Sequence, residues 1–261
     1  MLTQEQVDFY QENGYVMVEG LISAREAAHL RQETHDLAAR LSEKNRAQDA
    51  TWGSAAAVSG GVKTTLKHCH DVQFHSAAFA RLIVDERLVG PASQCIGSEN
   101  VQLHHTKMFI KPPEKGSPFP MHQDAPFFPH QNHSMIAAII HFDDAPVEKG
   151  CVRVVPGSHK LGPLVHEDTG SFHLPVADYP VESARPLPAK AGDVVFFSYL
   201  TIHGSGINES HEARTTLLVQ MRDPADMPTS TGHISPGQGM MLRGIDPLTS
   251  EKPHEAVGTK M

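Results

Sequence analysis

The stretch GDVVFFSYLTIHGSG, residues 192–206, contains the pattern that best predicts the fold of this chain. A short run of β-branched and aromatic residues follows a Gly-Asp pair, and this pattern favours a buried β-strand. The run ends at His203, and Gly204, Ser205 and Gly206 then predict a turn. A histidine at a strand end beside small residues has space next to it for a metal ion.

Four further apolar runs lie on either side of this stretch, separated by Gly, Pro, Asn and Asp. They are VQLHHTKMFIK (101–111), MIAAIIHFDDA (135–145), CVRVVPGS (151–158) and TTLLVQMRD (215–223). Short strands at this spacing favour an antiparallel sandwich or barrel. Before residue 100, capping-box patterns at Thr3 and Ser23 predict two helices. We expect a mainly β fold with flanking helices (α+β), in which the N-terminal helices pack on one sheet. We also expect a single domain that spans residues 1–261.

The composition and charge of the chain indicate which kinds of binding partner and cellular location to expect. The formal charge of -8 over 261 residues argues against nucleic acid as a main partner, although local basic groups can still bind an anionic small substrate. No apolar stretch is long enough to span a membrane, and the first residues lack a signal-peptide pattern, so we expect a cytoplasmic protein without a membrane partner. Three scattered cysteines predict no disulfide framework. We expect a monomer or a homodimer.

The segment FPMHQDAPFFPH, residues 119–130, supplies two candidate metal ligands. His122 and Asp124 are two residues apart, so on a strand both side chains point the same way. Together with His203 they provide the two imidazoles and one carboxylate of a non-haem Fe(II) oxygenase. Such a site needs neutral imidazoles, so iron affinity should fall in acid. Arg214, eleven residues after His203, can bind a carboxylate of 2-oxoglutarate through two parallel hydrogen bonds.

The chain resembles the phytanoyl-CoA dioxygenase (PhyH) family of Fe(II)/2-oxoglutarate oxygenases from residue 3 to residue 223. The matching stretches are HTKMFIKPPEKG, FPMHQDAPFFP, EKGCVRVVPGSHK, AGDVVFFSYLTIHGSGINES and ARTTLL. The resemblance implies a double-stranded β-helix, a jelly-roll barrel like that of the cupins. It further implies that Fe(II) is bound inside this barrel by His122, Asp124 and His203, with 2-oxoglutarate and O2 as cosubstrates. It also implies that Arg214 and Ser205 bind 2-oxoglutarate.

The resemblance suggests further residues of the pocket. Lys67, in TTLKHCHD, matches a family lysine that contacts 2-oxoglutarate. Lys107 is a further candidate to contact the cosubstrate, although it falls where close relatives have a methionine. Ile140 falls where those relatives have a tryptophan near the cosubstrate. Related halogenases have a small residue in place of Asp124, which opens a coordination position for halide. A carboxylate at this position therefore favours hydroxylation, or another oxidation, over halogenation.

We therefore expect a dioxygenase that oxidises an unactivated C–H bond of a small molecule and releases succinate and CO2. A small metabolite or natural-product intermediate is favoured over an acyl-CoA, because no basic patch for the CoA phosphates is evident. Two alternatives remain open. A non-catalytic metal-binding module on the same barrel would bind no 2-oxoglutarate, and a cupin-like metal hydrolase or isomerase would depend on neither 2-oxoglutarate nor O2.

Two segments are expected to shape the pocket. Residues 49–65 are rich in Gly, Ser and Ala, and they are either a lid over the site or a plain surface loop. Trp52 lies in this segment and is a candidate to cover the substrate. Residues 164–185 form the second segment.

Overall fold

The computed structural model describes residues 1–43, 49–50, 54–230 and 234–248. The α-helices in these ranges are α1 (Gln4–Asn13), α2 (Ala24–Glu43), α3 (Ala77–Leu82) and α4 (Glu86–Ile96), and short 3-10 helices lie in several connections. The strands are β1 (Tyr15–Val18), β2 (Asp49–Ala50), β3 (Leu66–His70), β4 (Val101–Lys111), β5 (Phe119–His122), β6 (Ile136–His141), β7 (Val152–Val154), β8 (Glu167–Asp168), β9 (Phe172–His173), β10 (Arg185–Leu187), β11 (Val194–Ser198), β12 (His203–Ser205), β13 (Arg214–Arg222) and β14 (Met241–Arg243).

The two predicted N-terminal helices are confirmed, and local hydrogen bonds explain where they begin. The Thr3 hydroxyl accepts a hydrogen bond from the Gln6 amide (3.2 Å), while the Gln6 side chain accepts one from the Thr3 amide (2.9 Å). Ser23 and Glu26 make the same reciprocal pair at the start of α2. These bonds satisfy amides that have no partner within the helix. Helix α1 ends at Gly14, which adopts a left-handed conformation with φ 77°.

The strands form two facing antiparallel sheets. The larger sheet has the order β1-β11-β6-β13-β4-β3-β2, with β14 on the edge of β4, and the smaller sheet has the order β10-β7-β12-β5. Strands β8 and β9 pair separately. Apolar side chains of both sheets share one buried cluster, in which Phe197 of the larger sheet packs with Val152 and Leu187 of the smaller. The fold is the double-stranded β-helix that the resemblance implies, with flanking helices.

Strand β13 shows how the sheet separates its core from its cavity. Its outward residues Leu217, Val219 and Met221 are fully buried in one apolar cluster with residues of α2 and α4. Each large apolar side chain buried in this way contributes roughly 1.5–3 kcal/mol. The helices therefore pack on the outer face of the larger sheet, as expected. The alternate residues Thr216 and Gln220 face the space between the sheets.

Two expectations concern cross-links and membranes. All three cysteines, Cys69, Cys95 and Cys151, are free, so the prediction of no disulfide framework is confirmed. In the described ranges, no helix combines the length and the apolar character that a membrane crossing requires.

The candidate lid is only partly described. Residues 51–53, which include Trp52, lie outside the described residues, so its predicted role stays a prediction. The following part contains a single 3-10 turn, Ala55–Ala57, and Thr65 forms an isolated bridge with Gly116. Residues 54–65 thus join the barrel beside the connection between β4 and β5.

Candidate active site

A cavity of about 300 Å³ lies between the two sheets. Most of its wall is apolar and aromatic, formed by Phe119, Phe127, Phe128 and Phe197 among others. The polar lining residues lie on β3, β4, β12 and β13 and on or just after β5, and they include most of those singled out in the sequence. A mainly apolar cavity with a few convergent polar groups is typical of small-molecule sites.

Three of these polar residues converge on one point. Strands β5 and β12 pair so that His203 lies directly opposite His122, and their ring centroids are 4.2 Å apart. The Nε2 atom of each histidine lies 3.7 Å from Oδ1 of Asp124. The three potential ligand atoms all lie within 4.8 Å of one another. Two imidazoles and a carboxylate in this arrangement can share one divalent metal ion.

Backbone carbonyls orient both histidines toward that point. Nδ1 of His122 is 2.7 Å from the Pro120 carbonyl oxygen, and Nδ1 of His203 is 2.9 Å from that of Thr201. A carbonyl oxygen only accepts, so each Nδ1 carries the hydrogen and donates it. In the neutral ring, Nε2 then has a free lone pair directed at the shared point. This second contact fixes tautomer and ring orientation, as it does for metal-binding histidines generally.

Gln220 holds the carboxylate of the group. Its Nε2 donates a hydrogen bond of 2.6 Å to Oδ2 of Asp124, which leaves Oδ1 facing the two imidazoles. The Asp124 amide is anchored in turn by the Tyr199 carbonyl at 2.9 Å. The sequence analysis did not identify Gln220. Its position six residues after Arg214 on one strand places both side chains on the same face, and this spacing is the signal that points to it.

Burial sets the protonation states of the three residues. Removal from water lowers the pKa of His122 to about 3 and that of His203 to about 4, and it outweighs the hydrogen bonds to backbone carbonyls, which act in the opposite direction. The same desolvation raises the pKa of Asp124 to about 6. At neutral pH both imidazoles are therefore neutral while the carboxylate is ionised. These are the protonation states that metal binding requires.

A second polar region lies at the Arg214 end of the cavity. Arg214 is directly opposite Lys111 in the pairing of β13 with β4, and both side chains are buried. Arg214 donates from Nη1 to the Gly150 carbonyl oxygen, whereas its buried Nε has no hydrogen-bond partner among the described residues. Lys111 donates to the Ser205 hydroxyl and to the Gly206 carbonyl, each at 2.7 Å. In these hydrogen bonds, the buried cationic groups of Arg214 and Lys111 therefore donate only to uncharged oxygen atoms.

The charge of this region is unfavourable without an anion. Burial lowers the pKa of Arg214 to about 10, and burial together with the nearby Arg214 holds the pKa of Lys111 well below its usual range. Within the described ranges, neither residue forms an ion pair with an acidic side chain. A bound carboxylate would compensate this charge and would supply the acceptor for Nε of Arg214.

The structure brings together most of the predicted site residues. His122, Asp124, His203, Ser205, Arg214 and Lys107 all line the cavity. Lys67 does not: its neighbour His70 on β3 lines the cavity, and Lys67, three residues before it, faces the opposite side of the sheet. Ile140 likewise packs in the outer core, and Ile139 takes the position in the cavity wall.

Comparisons with known proteins point to one family. The model of the family described as phytanoyl-CoA dioxygenase (PhyH) matches residues 10–216, which is more than half of the chain. The peroxisomal phytanoyl-CoA dioxygenase of Bos taurus is 29% identical over 239 residues, covering 85% of this chain and 69% of that protein. A probable alpha-ketoglutarate-dependent hypophosphite dioxygenase of Stutzerimonas stutzeri is 29% identical over 223 residues, covering 82% and 77%.

Solved structures give the same result. The epimerase SnoN, crystallised in complex with Fe3+, alpha ketoglutarate and nogalamycin RO, superposes with a TM-score of 0.72 at 28% sequence identity. The superposition covers 95% of this chain and 96% of SnoN.

Proposed function

The chain belongs to the phytanoyl-CoA dioxygenase (PhyH) family and is an Fe(II)- and 2-oxoglutarate-dependent dioxygenase; we propose that it hydroxylates a small molecule at an iron bound by His122, Asp124 and His203. The observation that carries the ligand assignment is the convergence of their three donor atoms within 4.8 Å. The two Nε2 lone pairs and the ionised Oδ1 suit Fe(II), which binds such mixed nitrogen and oxygen sets on one face.

The Arg214 end supports the cosubstrate assignment. 2-Oxoglutarate is a dicarboxylate, so one carboxylate can meet Arg214 and the hydroxyl of Ser205 while the keto acid end reaches the metal. Lys111 does not line the cavity, but its bond to Ser205 orients that hydroxyl and adds positive potential. A non-catalytic metal module, or a metal hydrolase, has no need for these buried cationic groups. They favour the dioxygenase over both alternatives.

The protein's own contribution to the reaction is geometric and protective. Iron held by His122, Asp124 and His203 would supply the O2 chemistry of a 2-oxoglutarate-dependent dioxygenase. The backbone carbonyls hold the two imidazoles in one tautomer, and Gln220 holds one oxygen of Asp124 away from the metal side. The aromatic wall keeps bulk water from the reacting groups.

The size of the cavity supports the proposed substrate class. Its volume of about 300 Å³ lies at the lower end of the range for small-molecule pockets, and the cosubstrate occupies part of it. A compact metabolite, or the reacting end of a natural-product intermediate, fits this space better than an acyl-CoA. We further propose that residues 1–261 form a single domain that acts in the cytoplasm as a monomer or homodimer, without nucleic-acid or membrane partners.

The test of this function is succinate formation from 2-oxoglutarate by the Fe(II)-loaded protein in the presence of O2. Slow formation without any added substrate is expected, because the cosubstrate can be oxidised uncoupled from substrate. The same protein kept with a chelator is the control. An iron-loaded protein that forms no succinate with any compound tried would exclude the proposed activity.

Acid should weaken metal binding through Asp124 before either histidine becomes protonated. In the metal-free protein this carboxyl has a pKa of about 6, so below that pH a proton must leave before the metal binds, whereas above it no proton competes. The histidines, with pKa values of about 4 and about 3, add further protons only in stronger acid. The sequence analysis attributed the loss of iron affinity in acid to protonation of the histidines. The pKa values attribute it first to protonation of the Asp124 carboxylate.

The expected result is a metal affinity that is constant above about pH 7 and falls by about tenfold per pH unit below about pH 6. Titrating Mn(II) into the metal-free protein at a series of pH values measures this dependence. A steeper loss that begins at the ordinary pKa of histidine would contradict the assignment of protonation states.

Replacing Gln220 by methionine should lower metal affinity by roughly 10- to 100-fold, because outer partners of metal ligands have effects of this size. The substitution keeps the volume but removes the donor that orients Asp124. Mn(II) titration is the measurement. Gln102→Met is the matched control, since Gln102 is similarly buried on β4 but its amide contacts the sulfur of Met241 and does not line the cavity. Equal affinities for the two variants would show that Gln220 does not position the ligand.

A further inference from the structure

A second cavity, of about 260 Å³, lies beside the catalytic cavity. The rings of Phe127 and Phe128 belong to the walls of both cavities. Phe127 also packs edge-on against the ring of His122, a candidate metal ligand, with the ring centres 6.1 Å apart. The second cavity therefore begins one aromatic ring away from the metal site. Together the two cavities have the size of a typical small-molecule site.

The second cavity is formed by two chain segments that are hydrogen-bonded to each other. The loop that follows Asp124 forms one wall, and the chain after β13 forms another. The Thr229 amide donates to the Pro129 carbonyl oxygen at 2.8 Å, and His130 forms an isolated β-bridge with Pro228. The same loop thus carries a candidate iron ligand and a wall of the second cavity.

A β-bulge in β4 places one histidine in the wall of each cavity. In the pairing of β4 with β13, Gln220 lies opposite His105, whereas the next residue of β13 lies opposite Leu103. His104 is therefore the additional residue of the bulge. Bulges change the direction of side chains and are frequent next to active sites. His105 lines the catalytic cavity and His104 lines the second cavity, and their ring centres lie 5.1 Å and 4.8 Å from that of Phe128.

His130 brings an unsatisfied hydrogen-bond acceptor to the second cavity. The residue is only 3% exposed, and its Nδ1 lies 2.7 Å from the Phe128 carbonyl oxygen, so Nδ1 carries the hydrogen and donates it. Burial lowers the pKa of His130, so the ring is neutral at neutral pH and Nε2 has a lone pair. This buried Nε2 has no hydrogen-bond partner among the described residues. A buried acceptor in this state is costly to the fold.

The walls of the second cavity indicate what kind of group would satisfy this acceptor. A neutral Nε2 only accepts, so the group must carry an O–H or N–H. None of the described lining residues is Asp, Glu, Lys or Arg, so a charged amine would find no counter-charge here. Much of the wall consists of flat apolar rings, those of Phe127, Phe128, Pro129 and Pro228. Such walls favour a neutral ring that carries a hydroxyl group.

We propose that the second cavity is a subsite for the non-reacting part of the substrate, a ring that carries a hydroxyl group, and that Nε2 of His130 accepts the hydrogen bond of this hydroxyl. This inference rests on the proposed function, because it assigns the bound ring to the substrate of that reaction. It deepens the substrate class: the reacting end enters the catalytic cavity, and the ring lies beyond Phe127 and Phe128.

The test compares alcohols with their methyl ethers, which lack the donor. 4-Propylphenol is paired with 4-propylanisole, and 4-propylcyclohexanol with its methyl ether, so the two pairs distinguish an aromatic from an aliphatic ring. Binding to the protein loaded with Zn(II) and saturating 2-oxoglutarate, which is diamagnetic and forms no product, is measured by NMR titration. We expect the alcohol of at least one pair to bind roughly 3- to 10-fold more tightly than its ether, the effect of one neutral hydrogen bond.

Two further readouts connect this binding to His130 and to the reaction. With the histidine nitrogens isotopically labelled, the Nε2 resonance of His130 should shift with the alcohol and not with the ether. The propyl chain extends the probe toward the catalytic cavity. On the Fe(II)-loaded protein in air, the preferred alcohol should therefore raise succinate formation above the slow rate expected without substrate.

Three variants locate the effect. His130→Phe keeps a ring of similar size but removes Nε2, so the preference for the alcohol should fall to near one. His130→Gln keeps an acceptor of similar reach and should retain part of the preference. His141→Phe is the matched control, because His141 is also buried, its Nε2 also lacks a hydrogen-bond partner among the described residues, and it lines neither cavity. Its preference should equal that of the unmodified protein.

Several outcomes would overturn the proposal. Alcohols that bind no better than their ethers, or not at all, would do so, and so would a His130→Phe variant that keeps the preference. An alcohol that binds at His130 but leaves succinate formation unchanged would show a separate ligand site instead of a substrate subsite. If the Fe(II)-loaded protein forms no succinate with or without probes, the dioxygenase assignment itself fails. The preference measured with Zn(II) still decides whether the second cavity binds the alcohol, so the two failures are distinct.

Discussion

Arg214→Met is expected to raise the half-saturating concentration of 2-oxoglutarate by about 100-fold or more. The planar guanidinium can donate two parallel hydrogen bonds to one carboxylate, and losing one partner of a buried charged pair costs about 2–5 kcal/mol. Its buried Nε, without a hydrogen-bond partner among the described residues, lies on the strand position opposite Lys111. Methionine keeps an unbranched side chain of similar length but has no donor.

The measurement is calorimetric binding of 2-oxoglutarate to the Mn(II)-loaded protein, which forms no product. Arg214→Lys should give an intermediate loss, because it keeps the charge but not the forked geometry. Arg153→Met is the control: Arg153 contacts the carbonyls of Glu182 and Ala184, and it does not line the cavity. A variant Arg214→Met that binds 2-oxoglutarate as the unmodified protein does would refute the cosubstrate assignment.

The same substitution should leave the metal-free fold intact. Arg214 lies beside a second buried amine and forms no ion pair in the described part of the chain. An unpaired buried charge is costly, so its replacement by an apolar residue of similar length removes that cost. Thermal unfolding of the metal-free variant at or above the temperature of the unmodified protein would confirm that lost binding does not result from misfolding.

Features that depend on neighbouring residues were predicted well from the sequence. The helix caps at Thr3 and Ser23 are hydrogen bonds between residues three positions apart, so both partners of each bond are visible in a short stretch of sequence. The pair His122 and Asp124 shares one side of the chain because they are two residues apart. Alternation along β13 similarly places Arg214 on the cavity face.

Features that depend on strand register were not predicted. Lys111 lies opposite Arg214 only because β4 and β13 pair in one particular register, and nothing near Lys111 in sequence reveals this. The expected residues Lys67 and Ile140 each lie next to a residue of the opposite face. A shift of a single residue along a strand turns a side chain from the cavity to the core. To predict which residues line the cavity, the alignment must be correct to a single residue, and strand patterns in the sequence do not give that accuracy.

The histidine geometry shows why a local pattern alone does not identify a metal site. His122 and His203 each donate from Nδ1 to the carbonyl two residues before. His130, His166 and His173 have the same contact, yet they belong to no described group of potential metal ligands. What distinguishes the first two is that β5 and β12 place them face to face beside Asp124. Long-range pairing, rather than the chain around each histidine, makes the site.

Asp124→Ala is expected to reduce metal affinity on the order of 100-fold or more and to abolish succinate formation from 2-oxoglutarate. The substitution removes the anionic ligand and leaves two neutral imidazoles to hold a divalent ion. It also leaves the Gln220 amide without its acceptor at the site. Asp124→Asn separates charge from size, because it keeps the shape of the side chain and loses only the negative charge. We expect a similar loss of affinity for both variants.

Stability distinguishes loss of a ligand from loss of the fold. Burial raises the pKa of Asp124 above its unfolded value, so the folded metal-free protein favours the protonated carboxyl. The ionised carboxylate therefore destabilises the metal-free protein above about pH 6, and this cost disappears as the pH falls below the unfolded value. At neutral pH, metal-free Asp124→Asn should be at least as stable as the unmodified protein, while added Mn(II) should stabilise only the latter. An Asp124→Ala variant that forms succinate at the full rate would show that this carboxylate is not an iron ligand.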